Sequence, residues 1–370
     1  MSTGIASSVP VSDYGGRTPG LDQLLATLRV GDDPDLAAAI ARRRRPLRIQ
    51  VTGRSRAGKS TLLRALALIS AEETEPVDEP GRTDPVLDGD LVVYVLAAAP
   101  QSADRRILAG LARDRTVVVL NKADAIGSRW VDAVTTADRC ARELGLPVLP
   151  VVAALAEHTR AGMPGEDDLR TLRRHLDRAD PAFTLSPELF TAATAGPDVA
   201  DRQALLDRWS LYGVACALTA LRHDPALGPG PLLQLLHAAS GIDALHALVH
   251  TDYQRIVAQR GGELLDELAR LAARAVPDSG SCARDLIEDY LAGDEALGLG
   301  IQAGLACPQV RHLAAGYPSP EPADADDALA RAERWRAVVS SDMSAAARRA
   351  AIRVHNGYIR RWERMRGAGL

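Results

Sequence analysis

Two apolar patterns divide the chain. In the first half, short continuous or alternating apolar runs stand between segments of helical spacing. From about residue 200 onward only helical spacing remains. Leu47-Arg48-Ile49-Gln50-Val51 reads as a buried strand, and the continuous run Thr116-Val117-Val118-Val119-Leu120 as another. Thr61 to Leu68 repeats leucine and alanine at helical spacing, and a helix is expected to run on to about Ser70. Leucine and alanine over 21–44 predict two helices broken near Gly31-Asp32-Asp33-Pro34. Helices are also expected after Gly165, over 204–214, after Pro231, and after Ser240-Gly241. Gly261-Gly262 is expected to break the long helix after Ser240. Further helices are expected over 264–275, 285–293, 328–336 and 343–366. Prolines 181, 187 and 197 mark a linker. No repeat period is evident.

Between the strand ending at Val51 and the helix starting near Thr61 lies Gly53-Arg54-Ser55-Arg56-Ala57-Gly58-Lys59-Ser60. This run fits G-x-x-x-x-G-K-[ST] in the strand–loop–helix context that the pattern requires. Its glycines let the backbone turn its amides toward phosphate oxygens, and the following helix presents its positive end. Gly53, Ser55, Arg56, Ala57, Gly58 and Thr61 are therefore expected to cradle phosphate. Lys59 adds a point charge, and Ser60 is a candidate Mg²⁺ ligand. The competing reading is a glycine turn with a chance lysine.

After the apolar run 116–120 comes Asn121-Lys122-Ala123-Asp124, an N-K-x-D pattern. A carboxylate such as Asp124 accepts two N–H donors from a guanine edge; adenine offers no such pair. Motif order resembles the Era-like, septin and dynamin-related branch of the P-loop GTPases, over about residues 46–180. That resemblance implies an α/β domain, a mainly parallel sheet with helices on both faces, followed by an α-helical region. It implies GTP or GDP with Mg²⁺ as cofactors. It gives Asp78-Glu79-Pro80-Gly81 the D-x-x-G role: Asp78 reaching Mg²⁺ through water, and the Gly81 amide sensing the γ-phosphate. Residues 90–96 match its next strand and Asp104 stands at the start of a helix. Residues 151–155 match the end of another strand, where Ala153, Ala154 and Leu155 supply a backbone contact to the guanine oxygen. Asn121 is expected to brace neighbouring loops and the Lys122 stem to cover the base.

Two departures stand out. Only Ala71 to Val77 separates the expected helix from Asp78, too short for a switch loop plus a strand of ordinary length. A sheet one strand short is therefore expected, and Thr74, among three glutamates, is the one threonine there. The second departure is Arg56, which resembles the internal arginine finger of the guanylate-binding branch. With Lys59 it is the catalytic candidate, neutralising charge between the β- and γ-phosphates. Its alternatives are a surface arginine, or one paired with a carboxylate such as Asp78. Arg82 after Gly81 offers no amide to orient water.

At 370 residues, 46% hydrophobic and 25% charged, the chain has room for two domains of ordinary composition. The expected division is a flexible segment over 1–18, helices over 19–45, the GTPase domain over 46–180, a linker over 181–199 and a helical region over 200–370. A net charge of −4 argues against a nucleic-acid partner. The four scattered cysteines lack a C-x-x-C pair and fit a reducing compartment. His246 and His250 are four apart without the H-E-x-x-H glutamate that zinc would favour. No leader is visible, no apolar stretch reaches about 18 residues, and the cytoplasm is the expected location.

The layout resembles the bacterial dynamin-like proteins, with Ser240 to Leu245 similar to a helix start in their actinobacterial members. The resemblance implies a homodimer or a hetero-oligomer with another GTPase, and peripheral contact at the inner face of the cell membrane. The apolar stretch 298–306 reads as a membrane tip or a buried helix pair. The last helix carries seven arginines between Arg348 and Arg366. It reads as a solvated helix packed by Ile352, Ile359 and Trp362, or as a membrane or partner surface. Two functions stand: a GTP-hydrolysing switch, or a guanine-nucleotide-binding scaffold that hardly hydrolyses and acts with a partner.

Overall fold

A computed structural model describes residues 20–28, 33–127, 129–162, 164–176, 181–274, 281–317, 319 and 321–367. The segment 1–18 lies outside them. The chain divides into two compact units, one formed by residues 46–254 and the other by 1–45 with 255–370.

The first unit is α/β. It contains β1 (Ile49–Gly53), with α1 (Leu21–Thr27) and α2 (Pro34–Arg44) belonging to the other unit. After β1 come α3 (Lys59–Leu66), β2 (Ala71–Glu73), β3 (Leu91–Leu96), α4 (Ser102–Ala109) and β4 (Thr116–Asn121). Then follow α5 (Trp130–Leu144), β5 (Val148–Val151), α6 (Ala153–Ala161), α7 (Glu166–Arg174) and α8 (Pro187–Thr191). The unit closes with α9 (Val199–His223), interrupted at Ser210, with α10 (Pro229–Ala239) and with the first part of α11 (Ile242–Arg274). The five strands are all parallel, in the order β2-β1-β3-β4-β5. β1, β3 and β4 are buried along their whole lengths, which needs cover on both faces and explains their continuous Val and Leu runs.

The expected missing strand is a correction. α3 ends at Leu66, because Ala67 turns left-handed at φ 48°. Residues 68–70 are thereby freed for a turn, and Ala71–Glu73 pairs with Ile49–Val51 at the sheet edge. The line continues past Thr74, whose amide reaches the Val51 carbonyl, to a bridge between Val77 and Arg54.

The linker expected over 181–199 is also corrected. Short helical turns at Pro181–Thr184 and Ala193–Ala195 flank α8. Phe183, Phe190 and Ala195 are buried in one apolar cluster with Leu155, Leu169, Trp209 and Leu236. The α-helices over 199–254 thus belong to the same compact unit as the sheet, α9 and α10 packing against α6 and α7, rather than starting a separate region. Arg202, fully buried, holds this segment together by donating to the carbonyls of Phe190, Ala192 and Gly196 and pairing with Asp198.

The second unit is helical, with α1, α2, the rest of α11, α12 (Ser281–Ala292), α13 (Asp294–Leu305), α14 (Ala325–Val339) and α15 (Ala345–Gly367). Gly261-Gly262 does not break α11. A Cβ at Gly261 would stand 2.4 Å from Leu299, and one at Gly262 2.7 Å from the Ala303 side chain. The pair is a contact surface, where missing side chains let α13 approach. Residues 298–305 are accordingly the second part of α13, capped by Ala306, with Gly300, Ile301, Ala303 and Gly304 buried. α15 buries Ala347, Ala351, Val354, Gly357 and Tyr358, rather than the Ile352 and Trp362 face. Among the described residues no single helix is long and apolar enough to cross a membrane.

Candidate functional site

In a parallel sheet of order 2-1-3-4-5, the chain leaves β1 toward one side and β3 toward the other. The diverging connections open a crevice at the carboxyl ends of β1 and β3. The glycine loop begins there. Gly53 has φ 146°, and a Cβ on it would stand 2.4 Å from the Val95 carbonyl oxygen of β3. Gly58 has φ 89°, and a Cβ on it would stand 2.3 Å from Asn121 Nδ2. Both positions require glycine, on conformation and on space. Between them Arg56 is left-handed at φ 60°.

α3 starts at Lys59 with no side-chain cap, and its first intrahelical bond runs from the Leu62 amide to the Gly58 carbonyl at 3.0 Å. The first-turn amides of Lys59, Ser60 and Thr61 therefore suit an external acceptor. Lys59 is 5% exposed, with Nζ 3.5 Å from the Arg54 carbonyl and 3.8 Å from Glu73 Oε1. Ser60 and Ser55 are exposed, and Ala57 is buried.

Asn121, at the end of β4, is 3% exposed and bonds in two directions. Its Nδ2 donates to the Ala57 carbonyl at 3.0 Å, and its Oδ1 accepts from the Ala153 amide at 3.1 Å. Lys122 is left-handed at φ 56°, and its Nζ donates to the Arg56 carbonyl at 3.0 Å. The glycine loop, the 121–124 turn and the start of α6 are thus tied together by two adjacent side chains. Asp124 follows in a short turn over Ala123–Ala125. Its carboxylate keeps solvent access. The chain around it still desolvates it enough to hold it above the usual carboxylate range, against its own backbone amide and Lys122.

The expected strand end at 151–155 is corrected. β5 stops at Val151, and Ala153 to Leu155 form the first turn of α6. Ala153 and Leu155 are buried, and Ala154 is exposed. The Ala153 amide is taken by Asn121, so the next amides of an uncapped helix start are the donors this segment presents.

Asp78 comes directly after the Val77–Arg54 bridge, so the chain delivers it beside the glycine loop. It is left-handed at φ 60°, its amide donates to Asp84 Oδ1 at 2.8 Å, and its carboxylate lies 3.9 Å from Arg106. Gly81 has φ 80° with open space beside it. Arg82 pairs with Glu75 and Glu79. The Thr74 hydroxyl lies 2.8 Å from Thr52 Oγ1, linking the edge strand to β1. Arg56 is exposed, and no described carboxylate pairs with it, Asp78 included.

Sequence reasoning missed the polar support behind the loop. Asp104, fully buried at the start of α4, accepts from Arg54 Nε at 3.1 Å, from the Tyr94 hydroxyl at 2.8 Å and from the Gln101 amide at 2.8 Å. Burial and this neighbouring carboxylate push the Tyr94 hydroxyl far up, so it stays a donor. Arg54 Nη1 also bonds Gln101 Oε1 at 2.7 Å. An aspartate in the first turn of a helix was a faint sign; nothing in the order of residues tied it to Arg54. Glu73 facing Lys59 was likewise hidden, since it depends on the short strand at 71–73.

No family model matches the chain, and neither does any curated protein or solved structure.

Proposed function

We propose that the 46–254 unit binds a guanine nucleotide with Mg²⁺ and hydrolyses GTP to GDP. The observation that supports this reading is the Asn121 bridge, which ties a phosphate-type glycine loop to the start of α6 from the residue three before Asp124. Loop amides and the start of α3 hold the phosphates. Lys59 supplies a fixed positive charge that Glu73 releases as phosphate enters. Ser60 and Asp78 are the residues that would hold Mg²⁺, and the ion would neutralise charge on the β- and γ-phosphates. Asp124 accepts from the guanine edge, Lys122 covers the base, and the second and third amides of α6 face its oxygen. Arg56, exposed and without a carboxylate partner among the described residues, serves the charge developing between β- and γ-phosphates.

A scaffold with little turnover is the second reading. It is favoured by two observations: the Glu73 carboxylate already beside Lys59, and Arg82, held by Glu75 and Glu79, where a water-orienting amide would be useful. Single-turnover assays with GTP, on the intact chain and on Arg56→Ala, separate the two. Release of phosphate that drops by tenfold or more in the variant supports hydrolysis with Arg56 as finger. GTP bound but recovered intact supports the scaffold.

A further inference from the structure

The basic last helix has a use that the nucleotide site does not absorb. Within the helical unit, α11, α12, α13 and α15 line an open groove of about 500 Å³, inside the size range of ordinary small-molecule sites. Its apolar side is formed by half-buried Leu291 and exposed Ile352 over the buried Leu265 and Leu297, and Arg349, Arg353 and Arg360 line it from α15. Most other arginines in this part of α15 are engaged: Arg361 pairs with Asp294 and Glu321, and Arg364 with Asp294. Arg353 pairs with Asp266, the one carboxylate among the residues lining the groove. Arg349 and Arg360 pair with no described carboxylate, and both are exposed. The result is an apolar wall beside two uncompensated guanidinium groups.

We propose that this groove binds a single-chain amphiphile with an anionic head. The alkyl chain lies along the groove over Leu291 and the exposed Ile352, and the carboxylate or phosphate head meets Arg349 or Arg360, which stand about 16 Å apart along α15 at its two ends. A small inorganic anion would leave Ile352 and Leu291 uncovered, and a neutral apolar molecule would leave the guanidinium groups unanswered. The balance of charge supports the same choice, because Asp266 is neutralised by Arg353. The inference does not depend on the nucleotide reading, since every residue in it lies in the helical unit.

Gly300 provides a clean test. A Cβ there would sit 3.8 Å from Leu265 Cδ1 and from Arg353 Cγ, at ordinary contact distance, with no positive φ. Gly300→Leu therefore fills the groove while improving helix propensity. Titration calorimetry of the full chain would use dodecanoate, dodecyl phosphate, dodecyltrimethylammonium and inorganic phosphate, each as monomers. Binding of either dodecyl anion is expected, with the ratio of the two affinities naming the preferred head. No heat is expected from the cationic amphiphile or from inorganic phosphate. Arg349→Glu with Arg360→Glu, and separately Gly300→Leu, should each weaken binding tenfold or more, with circular dichroism and melting temperature retained. No heat from both anions would overturn the proposal. So would equal binding of the cationic amphiphile, heat from inorganic phosphate equal to that from dodecyl phosphate, or unchanged affinity in both variants.

Discussion

Replacing Asn121 by alanine removes the tie between the glycine loop and α6. Two hydrogen bonds go, to the Ala57 carbonyl at 3.0 Å and from the Ala153 amide at 3.1 Å. Ala57 is 3% exposed and Ala153 is 1% exposed, so both groups stay buried after their partner is lost. A buried group left unsatisfied costs about 1–3 kcal/mol. Water entering the space left by the amide offsets part of that, so a net loss of about 2–4 kcal/mol is expected. With an m-value of about 2 kcal/mol per molar urea, the unfolding midpoint should fall by about 1–2 M. Trp130 and Trp209 lie in this unit and report its unfolding by fluorescence. Asn121→Asp keeps the acceptor for Ala153 but places a charge where only 3% of the residue is exposed, facing a carbonyl. It should be no more stable than the alanine variant. A loss under about 0.5 kcal/mol in Asn121→Ala would refute the bridge as an energetic tie between the two segments.

The Asp104 support predicts that Tyr94→Phe, which removes one donor to a fully buried carboxylate, destabilises the unit by about 1–3 kcal/mol in the same urea assay. Gly53→Ala, with its Cβ 2.4 Å from the Val95 carbonyl, should give little soluble folded protein or a melting temperature lowered by several degrees. Burial holds the Asp124 carboxyl above its usual range, so its charge costs the folded state stability as pH rises from the unfolded to the raised folded value and in full above it, and Asp124→Asn should be the more stable protein at neutral pH. Under the proposed function, guanine binding would need the charged form and would move the opposite way. GTP affinity should fall as pH drops through that raised value, and the acid limb should vanish in Asp124→Asn, as read by fluorescent-nucleotide titration.

The glycine loop and the 121–124 turn were legible because each is a local pattern with one mechanical meaning. Glycines at 53 and 58 stand where only a missing Cβ fits, and the buried valine runs can only be interior strands. What escaped depends on contacts between distant segments. The edge strand at 71–73 exists because Ala67 ends α3 early, and a left-handed alanine has no sequence signature. Proline spacing over 181–199 suggested a linker, whereas Phe183 and Phe190, the two phenylalanines of the chain, carry that stretch into the core. Gly261-Gly262 suggested a break for a sound local reason, yet the approach of Leu299 and Ala303 uses the same missing side chains to pack two helices. Asp104 is the sharpest case: its partners sit 50 residues earlier, at Arg54, and 10 residues earlier, at Tyr94.

The account stands or falls on whether one nucleotide meets both Lys59 and Asp124. Titration calorimetry of the full chain with GTP and with ATP, both in magnesium, addresses this directly. Saturable heat with GTP, at least a hundredfold weaker binding of ATP, and loss of the GTP signal in Lys59→Ala are the expected results. Equal affinity for the two nucleotides, or undiminished GTP binding without the lysine, would contradict the assignment.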